Sequence, residues 1–417
     1  MRLKVSTLSV KDLYTEKQSN IIRYVTNNDY FMLINHGAKR TGKTILNNDL
    51  FLMELRRVGR IAKELGIDRP QYILAGATLG TINKNVLIEI TNKYGIEFKF
   101  DKFNRFELFG VLVVCTGHST IGGLGAIRGM TSFGAYINEG SLANEEVFNE
   151  IKDRCSGEGA RILVDTNPDH PEHWLLKDYI QNPSDAIVDF HFELDDNTFL
   201  SERYKKNIKE STPSGMFYDR GIKGLWVSGD GVVYSDFNKD IHFISKEQAE
   251  QLNLSSYFAG VDWGYSHYGS IVVIGTDNKG NYYMVEEHAK QYEEIDYWVG
   301  VAKDIKDRYG NINFYADSAR PEHIARFKKE RIRAIDANKR VLSGIEEVAR
   351  LIKNQRLFVV YDVAQRFREE IYKYIWNERT GEPVKENDDV LDSLRYAIYT
   401  HVTKPKAGIS GKNAFTR

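Results

Sequence analysis

Cysteine is almost missing from this chain: Cys115 and Cys155 are the only two among 417 residues. They stand in unrelated contexts without metal-ligand spacing. That excludes a disulfide framework and a cysteine-based zinc centre, and points to two reduced thiols. Net charge is missing too. Lys and Arg total 57 against 58 Asp and Glu, a formal charge of -1. No global basic field advertises nucleic acid, although a local basic stripe is enough for binding. No apolar run approaches the span of a membrane helix, and the start MRLKVSTLSVKDLY has no long apolar h-region. A cytoplasmic protein without membrane contact is expected. There are no internal repeats, and the length favours two or three domains.

What is present is alternation. FMLINHGA (31–38) reads as a buried strand, and residues 44–65 read as a helix with Ile45, Leu52, Leu55 and Ala62 near helical spacing. QYILAGAT (71–78) is a strand, residues 79–94 a helix, and residues 98–114 a hairpin ending in VLVVC. SFGAYINEG and RILVDTN are two more strands around a helical stretch at 142–154. Alternation of this kind predicts an α/β fold with a parallel three-layer sheet over residues 1–180. Residues 181–255 are irregular and read as a linker or subdomain with a little structure of its own. A second α/β block follows at 256–403, with three strands joined by tight turns (YFAGVDWG, SIVVIGT, NYYMVEEH) and then alternating helices and strands. That layout matches ribonuclease H. Helices are expected at 364–376 and 388–402, and a flexible basic tail at 404–417.

The sharpest motif is Gly37-Ala38-Lys39-Arg40-Thr41-Gly42-Lys43-Thr44, a full G-x-x-x-x-G-K-[ST] between a buried strand and a helix. Glycines let backbone N–H groups wrap phosphates, and the helix N-terminus favours the anion. Lys43 is placed to reach the β/γ-phosphates of ATP, and the Thr44 hydroxyl to bind Mg²⁺. Such a site needs a carboxylate at a neighbouring strand end. AYINEG supplies Glu139 as the candidate general base, while the usual Asp position is Asn138, a neutral group that can still accept a hydrogen bond from a metal-bound water. The alternative for Glu139 is a cap on the helix starting near Ala143. Thr166-Asn167-Pro168 either touches the γ-phosphate region or forms a plain turn. Gln18, about twenty residues ahead of the loop, is placed to read the adenine edge. Lys39 and Arg40 make the loop basic, and one of them can act as a cis arginine-finger-like group.

A second constellation is acidic. Asp262 follows the strand YFAGV, Asp317 ends NFYA, and Asp389 and Asp392 lie on one face of the final helix. Acids delivered in this way can converge on two divalent ions and hydrolyse a phosphodiester. Hard oxygen ligands suit Mg²⁺ or Mn²⁺. The other reading of Asp262-Trp263-Gly264 is an actin-like phosphate turn.

A P-loop ATPase joined to a ribonuclease H-like nuclease resembles the large subunit of a tailed-bacteriophage terminase. The resemblance runs through GAKRTGKT, IRGM (127–130), AYINEG and TNPDHPEHW (166–174), then DDNTFL (195–200) and GIKGLWVSGDGVVY (221–234). It continues through VDWG, ADSARPE (316–322) and NDDVLDSLRY (387–396). It implies ATP-driven packaging of double-stranded DNA and cleavage of concatemers by Asp262, Asp317 and Asp392. It also implies Glu139 as the catalytic Glu, and partnership with a portal protein and a terminase small subunit. A homo-oligomeric ring on the portal, with a monomeric form in isolation, and work in the cytoplasm of an infected bacterium are what the same resemblance implies. Arg128 stands as a candidate trans arginine finger. Two departures stand out: Asn138 replaces the family's Walker B Asp, and Asp389 stands where the family often has His. The rival expectation is a nucleotide-dependent DNA-binding or assembly subunit without nuclease activity.

Overall fold

The computed structural model describes residues 13–182 and 184–404. The expected basic tail lies, beyond Lys404, outside the described residues. The chain divides into two compact units, Met1–Glu210 with Met216–Ser228, and Ser211–Gly215 with Gly229–Arg417.

The first unit is built on a seven-stranded sheet. Its strands are β1 (Met32–Gly37), β2 (Gln71–Gly76), β3 (Arg105–Leu108), β4 (Val111–Gly117), β5 (Ser132–Asn138), β6 (Arg161–Thr166) and β7 (Ile187–Phe192). Their order is β3-β4-β2-β5-β6-β1-β7, all parallel except the edge strand β3. Both faces are covered, which is why the central strands read as continuous apolar runs. Successive side chains feed opposite cores: Leu33, Tyr136 and Leu163 join one, while Ile34, Ile137 and Val164 join the other. Helix α1 (Glu16–Asn27) precedes the sheet and α2 (Lys43–Glu64) follows β1, burying Leu46, Leu50, Phe51 and Leu55. Helix α3 (Glu145–Arg154) covers the other face through Val147, Phe148 and Ile151.

Residues 181–255 are not set apart as the linker that was expected. Residues 187–192 form β7 and pair in parallel with the P-loop strand β1, while residues from Gly229 onward join the second unit. An edge strand with half-exposed side chains lacks the apolar signature of its neighbours. Its register came from a tertiary partner.

The second sheet holds β8 (Phe243–Ile244), β9 (Ser256–Asp262), β10 (Gly269–Thr276), β11 (Tyr282–Lys290), β12 (Asn313–Ala316), β13 (Arg333–Asp336) and β14 (Leu357–Val360). Its order is β13-β12-β9-β10-β11-β14-β8. Strands β9, β10 and β11 are antiparallel, and β12 and β13 add in parallel beside β9. This is the ribonuclease H arrangement, extended at the β11 edge by β14 and β8. Helix α4 (Ile295–Tyr309) packs Trp298, Ala302 and Ile305 against Val261, Ile271 and Phe314. Helices α5 (Val341–Lys353) and α6 (Asp389–Thr403) also belong to this unit. A Cβ at Gly260 on β9 would lie 1.8 Å from the carbonyl oxygen of Ser393 on α6. Only glycine lets the helix backbone approach the strand this closely. The helix expected over 364–376 stops at Glu370, because Ile375 and Trp376 make isolated bridges to Val232 and Pro383. No helix among the described residues is long and apolar enough to cross a membrane.

Candidate active sites

The first site lies at the carboxyl ends of β1, β6 and β5. In open α/β sheets this edge, where strand order reverses, is where ligands bind. The loop from Gly37 to Thr44 turns from β1 into α2 through left-handed backbone at Arg40 (φ 62°) and Gly42 (φ 86°). Its entry is fixed from two directions. Ala38 N donates to the Phe192 carbonyl of β7 (2.7 Å), and Asn197 Nδ2 donates to the Arg40 carbonyl (2.7 Å). Gly224 leaves room for this crossing, since a Cβ there would stand 2.6 Å from Ala38 N.

Lys43 is buried and its Nζ donates to the carbonyls of Gly37 (2.9 Å) and Ala38 (2.5 Å) and to Asn167 Oδ1 (3.3 Å). Burial pushes its pKa down to about 8, against the pull of Asp165. An ammonium folded onto its own loop carbonyls is a cation awaiting an anion. The bond to Asn167 brings the Thr166-Asn167-Pro168 segment into the site. That segment is tied to the neighbouring turn, with Ser141 N donating to Thr166 Oγ1 (2.9 Å) and Ser141 Oγ to the Asn167 carbonyl (3.0 Å). Lys39 and Arg40 are exposed on the loop, as are the guanidinium of Arg128 and its partner Glu146, 3.7 Å away.

Glu139 follows β5 in left-handed backbone (φ 58°), which for a non-glycine residue carries strain and is concentrated at functional positions. It does not cap the next helix. That cap is Asn144, whose Oδ1 accepts from Val147 N. Burial raises the Glu139 carboxyl above its ordinary range, and Asp165 adds to the rise while Lys84 opposes it. Gln18 is engaged inside the chain. Its Nε2 donates to the Gly42 carbonyl (3.0 Å), and its Oε1 accepts from Thr15 N (2.9 Å) in the capping box of α1. The glutamine expected to face adenine braces the phosphate loop in this structure.

The residue that the sequence reading missed is Asp165, next to the threonine of TNP. It is 2% exposed and accepts a hydrogen bond from the Thr44 hydroxyl. Asn138 Nδ2 donates to its Oδ1 (3.0 Å), and Glu139 N donates to the same oxygen (3.3 Å). Burial raises its pKa, against the hydrogen bonds from Thr44 and Asn138 and the charge of Lys43. The available signal was an aspartate at a buried strand end. It was masked by the turn chemistry of the Asn-Pro that follows.

The second site lies in the other unit, where β9 and β12 end and α6 begins. Asp262 lies at the end of β9 and Asp317 just after β12, with Asp317 N donating to the Val261 carbonyl (2.9 Å). Asp389 and Asp392 enter from the first turn of α6. Burial pushes the Asp262 carboxyl far up, and Asp392, Asp317, Asp389 and Asp388 all push the same way. The four acids expected from sequence therefore face one another electrostatically. Each of three is countered by a cation: Asp317 by Lys339 (2.7 Å), Asp392 by Arg395 (2.8 Å) and Asp389 by Arg366 (3.6 Å).

Two groups were missed. His267 Nδ1 lies 3.0 Å from Asp389 Oδ1, and ligand atoms of Asp262, His267 and Asp389 fall within 4.8 Å of one another. Nothing in its local sequence marks His267, because it reaches the cluster through the β9–β10 turn. Asp388 had its signal in the acidic run Asn387-Asp388-Asp389 but was passed over; burial, and the neighbouring Asp392 and Asp389, raise it to about 6. Beneath the cluster, Glu370 is fully buried and its Oε2 accepts from Val390 N (2.9 Å) and Leu391 N (3.1 Å). A carboxylate from another element thus caps the helix that carries Asp389 and Asp392. Like charges crowded in low dielectric repel, and a divalent cation among them removes the repulsion. The donor set, carboxylates with one imidazole, fits Mg²⁺ or Mn²⁺.

A P-loop α/β unit and a ribonuclease H-type unit thus share one polypeptide. Residues 36–239 match the family described as "Terminase large subunit, T4likevirus-type, N-terminal". No curated protein sequence matches the chain. Among solved structures, the large terminase of a thermophilic bacteriophage superposes with a TM-score of 0.80 at 24% identity, covering 93% of this chain and 99% of that one. The same phage protein in complex with ADP gives 0.79 at 24% identity, covering 94% and 100%. Its complex with ATP-γ-S gives 0.77 at 24% identity, covering 92% and 98%. Residues 36–239 are thus similar to the N-terminal region of terminase large subunits, and over nearly its whole length the chain shares the fold of a large terminase.

Proposed function

We propose that this chain is the ATP-driven motor of viral genome packaging, moving double-stranded DNA into a procapsid and cutting concatemeric DNA to start and finish the process. One observation carries the reading. A P-loop with Lys43, Thr44 and Glu139 around it shares a polypeptide with a cluster of mutually repelling carboxylates, Asp262, Asp317, Asp389 and Asp392. The structures of the thermophilic phage's large terminase with ADP and with ATP-γ-S support the nucleotide half of it.

In the first unit, Lys43 exchanges its loop carbonyls for the β/γ-phosphates, and the incoming anion relieves the burial that lowers its pKa. Glu139 accepts the proton of the attacking water; a raised carboxyl pKa makes it a better base near neutral pH. Thr44 would hold Mg²⁺, which would supply positive charge against the phosphates. Asn167 touches Lys43, so the turn at Thr166 feels whether phosphate is present. In the second unit, Asp262, Asp317, Asp392 and Asp389 would hold Mg²⁺ or Mn²⁺, which would supply Lewis-acid activation of water and charge stabilisation for hydrolysis of a phosphodiester. Lys339, Arg395 and Arg366, which pair with Asp317, Asp392 and Asp389, would yield part of that pairing to the cations. DNA is gripped mostly by its phosphates, because a motor that slides cannot depend on base sequence. The working form is a homo-oligomeric ring on a portal protein, fed by a terminase small subunit, in the cytoplasm of the infected host.

The test is direct. Purified protein is expected to hydrolyse ATP with Mg²⁺, and to nick and linearise plasmid with Mn²⁺ in the absence of ATP. ATP turnover without plasmid cutting returns the chain to a nucleotide-dependent DNA-binding or assembly subunit.

A further inference from the structure

The loop of a P-loop enzyme needs a carboxylate beside the hydroxyl that binds the cation. By position that carboxylate belongs at the end of β5, where this chain has Asn138. The structure shows what Asn138 does instead. Its Nδ2 donates to Asp165 (3.0 Å to Oδ1 and 3.3 Å to Oδ2), and its Oδ1 accepts from Asn85 Nδ2 (3.1 Å). Turning the amide over would set NH₂ against NH₂ and oxygen against carboxylate, so its neighbours fix its orientation. Asn138 therefore presents a donor towards the loop. A cation needs an acceptor.

The acceptor is Asp165, from the strand lying between β1 and β5. Register places it level with Asn138 on one side and Asn35 on the other. It is the group that the Thr44 hydroxyl touches. Around it stand Thr44, Asn138, the Glu139 N–H, the ammonium of Lys43 and the carboxylate of Glu139, the last two acting at longer range. A carboxylate 2% exposed, bonded to neutral donors, is costly to keep charged unless a cation joins it. We propose that Asp165 supplies the anionic partner of the nucleotide's divalent cation beside Thr44, and that Asn138 holds it in place. Acid and amide have exchanged strands. The inference rests on the ATPase reading and assigns its metal shell.

The experiment measures how strongly Mn²⁺ tightens binding of a fluorescent, non-hydrolysable ATP analogue, by titration with Mn²⁺ and again in EDTA. The ratio reports only the cation that travels with the nucleotide, so metal in the carboxylate cluster of the other unit does not enter. In Asp165→Asn the tightening is expected to fall by on the order of 10–100-fold, the usual cost of disturbing a metal's supporting shell, while affinity in EDTA stays near wild type. Asp165→Ser, smaller and able to admit water, repeats the measurement should the asparagine variant fail to fold. The exchange variant Asp165→Asn with Asn138→Asp is expected to regain most of the tightening, which a merely structural loss would not allow. Full tightening in Asp165→Asn or Asp165→Ser overturns the assignment. A wild-type chain that binds no nucleotide with or without Mn²⁺ overturns the ATPase reading itself, a different outcome.

Discussion

Thr44 and Asp165 stand 121 residues apart in the chain and share a hydrogen bond at the head of the first sheet. One belongs to the phosphate loop and the other to a strand whose motif reads as a turn. Their meeting gives the loop the carboxylate that Asn138 cannot provide. It also makes the order of strands, with β6 between β1 and β5, a chemical fact as well as a topological one.

Lys43→Ala is expected to abolish ATP turnover and leave Mn²⁺-dependent plasmid cutting intact, because the two sites lie in separate compact units. Parallel phosphate-release and gel assays on one preparation check it. Joint loss of both activities in a folded variant would speak against independent sites.

Asp262→Asn is expected to remove plasmid cleavage and retain ATP hydrolysis. Relief of repulsion among the acids should also raise the metal-free melting temperature, and the stabilisation normally given by added Mn²⁺ should shrink. A melting curve with and without Mn²⁺ reads both effects.

Gly260→Ala is expected to push α6 away from β9, since the added methyl would start 1.8 Å from the Ser393 carbonyl oxygen. Overpacking of this kind costs about 1–3 kcal/mol. Asp389 and Asp392 ride on the same helix, so cleavage should fall more than stability alone explains. Activity measured well below the melting temperature separates the two.

Glu286 offers a pH test away from either site. Burial would raise it, but hydrogen bonds from His288, Arg308 and Tyr309 outweigh that and hold it at about 2. A depressed carboxylate stabilises the fold above its unfolded pKa and loses that contribution as pH falls through the folded value. Glu286→Gln is expected to cost roughly 1–2 kcal/mol at pH 7 once solvent screening is allowed for. The difference from wild type should shrink between about pH 4.5 and 2. Denaturant curves at pH 7 and pH 3 decide it.

Gln18→Glu keeps the acceptor for Thr15 N but removes the donor to Gly42, setting a carboxylate against a carbonyl. Nucleotide affinity is expected to drop about tenfold, the equivalent of one charge-assisted hydrogen bond. The α1 cap should survive. Equal affinity in the variant would show that the brace does not matter to binding.

Much was determined by the amino-acid sequence alone. Consecutive apolar runs with a G-x-x-x-x-G-K-T between strand and helix required a covered parallel sheet with a tight strand-to-helix loop at its edge, because backbone sterics are local. Strand-end Asp262 and Asp317 and the spacing of Asp389 and Asp392 were legible for the same reason. The tertiary structure decided what depends on neighbours distant in sequence. Strand β7 was invisible because an edge strand takes its register from its partner. His267 and Asp388 became part of a cluster only when a turn and a helix end met, and Glu370 became a cap only when α6 came to rest on it. Gln18 became a brace of the phosphate loop through a carbonyl 24 residues away. The sharpest case is Asn138. Read along the chain it is a missing charge; read across the sheet, the charge is one strand over, because hydrogen-bonded register sets side by side what the sequence keeps apart.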